Sequence, residues 1–335
     1  MKEIELKFQV PDSALSGVNE ALQALGRAPA IPMHAAYFDT ADHALARQRC
    51  AWRVRREGDD WVQTYKGLGA DAMTRVEENC PLPAPADGRP APVLAAHSPE
   101  VQQALRRALN WPEQAGTPPA ALVTVYDTRF ERHVRTLDHA LGRVAVCLDL
   151  GAIEAGAARE RLQELEFELI DGQPQALLSL AMGWVQAHGL WLDVQSKAMK
   201  GTRLAAQVQS AASDANASRQ VQRACQPVPL PAVVQTPRAH LSALLDTCAG
   251  NWAELATPRA GWADALALWR QAHPRVSQAL AGTPLGNSPQ WQALDQALQA
   301  ALDEPDTAER AAELATSAAP TGWALAVLSH LQTLN

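Results

Sequence analysis

Apolar and charged positions alternate with period two from Lys2 to Val10, with Ile4, Leu6 and Phe8 on one side and Glu3, Glu5 and Lys7 on the other. A half-buried strand is the expectation there. The same alternation predicts strands over 35–38, 50–56, 61–66, 74–79, 123–135 (in one or two pieces), 143–150 and 162–170. The Glu57-Gly58-Asp59-Asp60 stretch and the segment 138–142 read as hairpin turns, so the pairing is expected to be antiparallel.

Period 3.6 replaces period two in the connections. Asp12 reads as the cap of a helix with Leu15, Val18, Leu22 and Leu25 as its apolar stripe and Gly26 as its stop. Ser98-Pro99-Glu100 starts a second helix and Pro174 a third, with Leu177, Leu180, Ala181, Trp184 and Val185 on its buried side. The proline-rich piece 81–92 reads as a surface loop. Beyond about residue 205 the chain becomes Ala/Ser/Gln-rich and then Pro-rich, and after that wholly helical in pattern. Thr236-Pro237, Ser288-Pro289 and Asp306-Thr307-Ala308-Glu309 are helix starts, and Trp291, Leu294, Leu298 and Leu302 form a stripe. The expected division is a strand-rich domain over 1–205, a linker over 206–235, and a bundle of about five helices over 236–335.

Composition narrows the function classes. A chain of 335 residues is long enough for two cores, and its formal charge of −7 argues against a general nucleic-acid or anionic-membrane binder. No run approaches the length of a membrane span and no apolar leader precedes the first strand, so a cytoplasmic protein is expected. Cys50, Cys80, Cys147, Cys225 and Cys248 lack C-x-x-C spacing and suit reduced thiols. Basic residues are mostly arginine; the lysines are Lys2, Lys7, Lys66, Lys197 and Lys200.

The charged faces carry the chemistry. Arg53 and Arg55 share a side of one strand, Thr64 and Lys66 of another, Arg75 and Glu77 of a third, and Glu164, Glu166 and Glu168 of the last. A plain solvated sheet face is the simpler reading for any one of these strands. Three observations together favour another. Carboxylates gather on the first and last strands and cations on the middle ones; three glutamates on one face repel each other unless a cation lies among them; and helices are available to cover the apolar faces from outside. If the sheet closes, the charged faces line a wet tunnel in which carboxylates suit Mg²⁺ or Mn²⁺ and arginine forks grip phosphate.

Glu3-x-Glu5-x-Lys7, Tyr37-Phe38-Asp39-Thr40, Arg53-x-Arg55, Thr64-x-Lys66, Arg75-x-Glu77, Arg129, Asp149 with Gly151, Glu164-x-Glu166-x-Glu168 and Ser196-Lys197 stand in an order that resembles CYTH-domain triphosphate tunnel metalloenzymes. The resemblance covers residues 1–204 and is nearest to bacterial inorganic triphosphatases in which a helical CHAD domain follows. It implies an α+β fold with a closed antiparallel, eight-stranded β-barrel, flanking helices and a helical bundle behind it. It further implies metal ligands at Glu3, Glu5, Glu77, Asp149, Glu164 and Glu166, with Glu168 an alternative on the same face, for Mg²⁺ or Mn²⁺, two per site. The phosphate grip would be Lys7, Arg53, Arg55, Lys66, Arg129 and Lys197, joined by Arg75 and Arg135, and Lys7, Glu5, Glu166 and Glu168 would carry the catalysis.

The tail departs from the CHAD pattern, with no lysine after Lys200 and more acids than bases, so a packing or dimerisation role is expected of it. Hydrolysis of inorganic triphosphate to pyrophosphate and phosphate is the leading expectation. Thiamine triphosphatase and class IV-type adenylate cyclase are alternatives on the same fold, and a non-catalytic polyphosphate-binding module is an alternative of another class. The expected partner is a small-molecule triphosphate, with no nucleic acid and no membrane. His34, His43, His133 and His139 lack any pairing that demands catalysis, and the tryptophans read as core anchors.

Overall fold

The computed structural model describes residues 2–68, 73–85, 88, 90–213, 225–232, 236–257, 260–303 and 307–334. Parts of the expected loop at 81–92 and of the expected linker at 206–235, together with Asp306, lie outside the described residues.

In chain order the described strands and α-helices are β1 (Lys2–Gln9), α1 (Leu15–Ala24), β2 (Ile31–Asp39), α2 (Ala44–Arg47), β3 (Ala51–Glu57), β4 (Asp60–Leu68), β5 (Thr74–Leu82), α3 (Pro99–Ala108), β6 (Val123–His139), β7 (Gly142–Ala155), β8 (Ala158–Gly172), α4 (Pro174–His188), β9 (Trp191–Leu192) and α5 (Lys197–Ser213). The helices α6 (Pro237–Leu255), α7 (Trp262–Leu280), α8 (Pro289–Asp303), α9 (Ala308–Thr316) and α10 (Ala318–Leu331) follow. The strands form one antiparallel sheet in the order β5-β4-β3-β2-β6-β7-β8-β1-β9. A short seam of three positions, Lys2↔Val76, Glu3↔Arg75 and Ile4↔Thr74, pairs β1 with β5 and brings the sheet round into a barrel.

Local chemistry explains the element ends. Gly58 turns the β3–β4 hairpin at φ +60°, where a side chain would be strained. Ser98, Thr236 and Thr307 each accept the backbone N–H three residues on, which satisfies one of the orphan donors of a helix start. Asp12 does not cap α1: it sits in a preceding 3₁₀ turn and accepts from Arg161 and Gln163. Leu25 is exposed, so the buried stripe of α1 is Val18 and Leu22. Outside the barrel, α3 is fastened by a buried network. Trp52 Nε1 donates to His97 Nε2 (3.0 Å), while His97 Nδ1 meets Glu78 Oε1 (2.8 Å) and the Ser98 amide donates to the same carboxylate. Because an indole N–H only donates, His97 carries its proton on Nδ1; burial holds the imidazole below its usual pKa and so neutral.

One apolar cluster runs from the outer face of β1 and β8 (Leu6, Phe8, Leu165, Phe167) through α4 (Leu177, Val185) into the helical region (Leu244, Trp252, Trp269, Trp323). The apolar side of each strand's alternation is therefore the core, and the charged side is left to face the barrel interior. Among the described residues, no helix is long and apolar enough to cross a membrane.

Candidate active site

Cross-strand register assembles the interior. Glu5 stands opposite Glu168, Lys7 opposite Glu166, Lys66 opposite Glu77, Arg132 opposite Asp149, and Asp149 opposite Glu164. Helix α5 packs against β6, β7 and β8 and adds Lys197 and Lys200 to this set. Gly201 permits the approach, since a Cβ there would lie 2.2 Å from the Tyr126 ring.

Three groups of charge result. The first is electrically balanced: Asp149, Glu164, Glu166 and Asp193 face Lys7, Arg132, Lys197 and Lys200 one for one. Lys7 Nζ lies 3.1 Å from Glu164 and 3.2 Å from Asp193. Lys197 lies 2.8 Å from Asp149, 3.0 Å from Glu164 and 2.7 Å from Glu166, and Lys200 lies 2.7 Å from both Glu164 and Asp193. All eight are buried or nearly so, and burial alone would raise the Glu164 carboxyl; Lys197, Lys200 and Lys7 reverse that and hold it well below the usual range.

The second group is acidic. Carboxylate oxygens of Glu3, Glu5 and Glu168 all lie within 4.8 Å of one another, half-buried. Burial pushes the Glu3 carboxyl up to about 8, against the pull of Lys66 at 3.1 Å. Glu168 is raised too, by burial and by Glu166 and Glu5, against Arg132. Neighbouring Glu77 goes the other way: burial would raise it, but Lys66, a hydrogen bond from Glu3 and Arg53 hold it ionised. Hard oxygen donors whose own charges are raised against them suit a divalent cation.

The third group is cationic and incompletely paired. Arg53 donates to the Tyr37 hydroxyl (3.1 Å) and Arg55 pairs with Glu57, yet the Nε of each is buried without a partner. Burial lowers Arg55 to about 10, with Arg53 and Arg132 repelling it. Buried donors without acceptors beside mutually repelling guanidiniums describe an anion site.

The structure brings most of the residues singled out in the sequence together and leaves others apart. Glu3, Glu5, Lys7, Arg53, Arg55, Lys66, Glu77, Asp149, Glu164, Glu166, Glu168 and Lys197 come together in the interior. Arg129 does not: its side chain is 55% exposed beside Glu154. Nor does Arg135, which donates to the Leu22 and Gly26 carbonyls at the end of α1. Both stand on the outward phase of β6, and the inward cation is Arg132. The side chain of Arg75 lies outside the described residues. The expected ligand set also divides: Asp149, Glu164 and Glu166 each meet two or more ammonium or guanidinium groups, whereas Glu3 meets Lys66 and Glu168 meets Arg132, and the oxygens of these two gather with those of Glu5. Arg132, Lys200, Asp193 and Tyr37 carry structural weight that the sequence reading did not give them. A strict count of alternate positions along β6, anchored at Asp149, would have found Arg132.

An inorganic triphosphatase of Haemophilus influenzae is 28% identical over 168 residues, which is 49% of this chain and 44% of that protein. Hence the chain matches less than half the length of that curated relative. Among solved structures, a Hippeastrum adenylyl-cyclase candidate with a dominant triphosphatase activity covers 58% of this chain and 91% of its own, at 18% identity and TM-score 0.37. The Mimivirus capping-enzyme triphosphatase covers 56% and 89%, at 13% identity and TM-score 0.32. The CYTH domain family matches residues 1–201, the whole of the barrel and the start of α5, and the chain belongs to that family.

Proposed function

We propose that this protein is a divalent-metal-dependent hydrolase of inorganic triphosphate, splitting it with water into pyrophosphate and orthophosphate inside the barrel. The carrying observation is the pair of buried, unpartnered guanidinium Nε atoms of Arg53 and Arg55 in the barrel interior, where both guanidiniums feel the charge of Glu77, the neighbour of Glu3. Arg53, Arg55 and Lys66 would bind the phosphate oxygens, with Arg132 adding its field from the balanced group. Arg53 is held for this by Tyr37.

Glu3, Glu5 and Glu168 would hold Mg²⁺ or Mn²⁺; the donor set fits, being all carboxylate and short of countercharge. A cation there supplies neutralisation of phosphoryl oxygens and polarisation of the reacting centre. The balanced group, locked by its ion pairs, keeps Lys7 and Glu166 in place beside these carboxylates and needs no reorganisation during reaction. Water attacks the terminal phosphorus, its proton passes to solvent or to an interior carboxylate, and the phosphoanhydride oxygen leaves with pyrophosphate.

Orthophosphate release measured with inorganic triphosphate, longer polyphosphate, ATP and thiamine triphosphate, each with Mg²⁺ or Mn²⁺, tests the reading. Release from inorganic triphosphate well above the Glu5→Ala variant supports it. Equal release from both proteins would sink it.

A further inference from the structure

The segment between β9 and α5 is held from two sides. On the barrel side, the Asp193 amide donates to the Lys7 carbonyl (2.9 Å), the Asp193 carboxylate accepts from Lys7 and Lys200, and the Gln195 carbonyl accepts a hydrogen bond from Lys7 Nζ. On the helical side, the Leu192 amide donates to Thr321 Oγ1 of α10 (2.9 Å). Gln195 Nε2 donates to Glu254 Oε1 of α6 (2.5 Å). Arg203 closes the ring, donating to Glu254 (2.7 Å) and to Gln195 Oε1 (2.5 Å). Glu254, Gln195, Arg203 and Thr321 are all buried. A cavity at the same joint is lined by Glu5, Lys7 and Asp193 together with Leu245 and Ala249 of α6 and Leu328 of α10, so both helices come up to the charged strand.

A helical region that merely covered an apolar surface would need no such polar chain, since a buried charge is costly unless it is fully paired. Among the described residues, the ammonium that this polar network reaches through a backbone carbonyl is Lys7, two residues from Glu5 and on the same face of β1. We propose that Glu254 is a positioning residue for the tunnel: through Gln195 and Arg203, α6 fixes the 193–196 segment and with it Lys7, so the helical region is a structural part of the active site. This rests on the triphosphatase reading for its kinetic consequence but not for its geometry.

The five lysines allow a test in the whole 335-residue chain. Lysine Nζ and Cε resonances would be recorded for wild type, Glu254→Gln and Thr321→Val, with Glu313→Ala, at an exposed position of α9, as control. The first two variants should shift Lys7 while Lys66 stays put. Their kcat/KM for inorganic triphosphate should fall on the order of tenfold, mostly in kcat, since a displacement of about 1 Å remote from the chemistry can cost about a hundredfold. Folded variants with a lowered melting temperature but an unmoved Lys7 resonance and unchanged kinetics would overturn the proposal. Should Glu254→Gln not fold, Thr321→Val decides alone by the same readouts. A wild type inactive on triphosphate would refute the triphosphatase reading, and the lysine spectra would still decide the positioning.

Discussion

Arg132 grips Asp149 through two parallel hydrogen bonds of 2.7 Å each, directly across the β6–β7 pair. This bidentate contact is the centre of the balanced group, because the same guanidinium also reaches Glu166 and, at 3.3 Å, Glu168. Asp149 is fully buried, and that contact together with Lys197 at 2.8 Å supplies its partners.

Arg132→Ala should therefore destabilise the fold. Removing one partner of a buried pair leaves an uncompensated charge and typically costs about 3–5 kcal/mol. Urea unfolding measures this. A loss below about 1 kcal/mol, the range of exposed pairs, would contradict the arrangement.

Arg55→Gln should behave in the opposite sense. Arg55 is a buried cation pressed by burial and by Arg53, so neutralising it should leave stability equal or slightly higher. Triphosphate turnover should fall by roughly tenfold or more, the cost of losing a charge-assisted hydrogen bond of about 1.5–3 kcal/mol. Melting curves and Michaelis kinetics on one preparation check both halves.

The acidic group predicts a pH signature. The Glu3 carboxyl rises from 4.5 to about 8 in the folded chain, so the folded state binds a proton that the unfolded state releases across that window. Without divalent cation, this group's contribution makes stability decline as pH rises from about 4.5 to about 8. Glu77, held low, works the other way only as pH falls below the ordinary carboxylate range. Bound Mg²⁺ should reverse the decline and displace the proton. Melting temperatures at pH 5 to 9 with and without Mg²⁺, and calorimetry in buffers of different ionisation enthalpy, give the sign; tighter Mg²⁺ binding at low pH would refute it.

The two cations outside the cluster separate location from composition. Arg129→Ala should leave turnover within about twofold, since its ion pair is exposed and such pairs contribute about 0–1 kcal/mol. Arg135→Ala should cost about 1 kcal/mol of stability by uncapping α1, again with turnover unchanged. A loss of activity in either folded variant would place that arginine in the machinery.

Why was most of the interior legible in the sequence, and this part not? Period-two strands announce which side chains share a face, and Glu3, Glu5, Lys7, Arg53, Arg55, Lys66 and the 164–168 triplet all follow that rule. The arginines of β6 stand at every third position, so 129 and 135 share one phase and 132 takes the other, and only the register of the β6–β7 hairpin, which sets Arg132 opposite Asp149, chooses between them. The division of the carboxylates was also hidden. Whether Glu164 meets a metal or an ammonium depends on where α5 lands, and that is a tertiary fact set by Gly201 against Tyr126. The helix starts at Thr236 and Ser288 were readable because capping is local; the linkage of Glu254 to Gln195 spans 59 positions and has no local signature.

The shared apolar cluster from Phe8 to Trp323 has a practical consequence. With the barrel's outer face and the helices contributing to one core, heating should melt the chain in a single cooperative transition, and cutting it after residue 205 would bare the surfaces of α4 and β1 that α6 and α10 now cover. A barrel excised in that way is a different physical object, prone to self-association through its back, and its behaviour would describe the wound more than the protein.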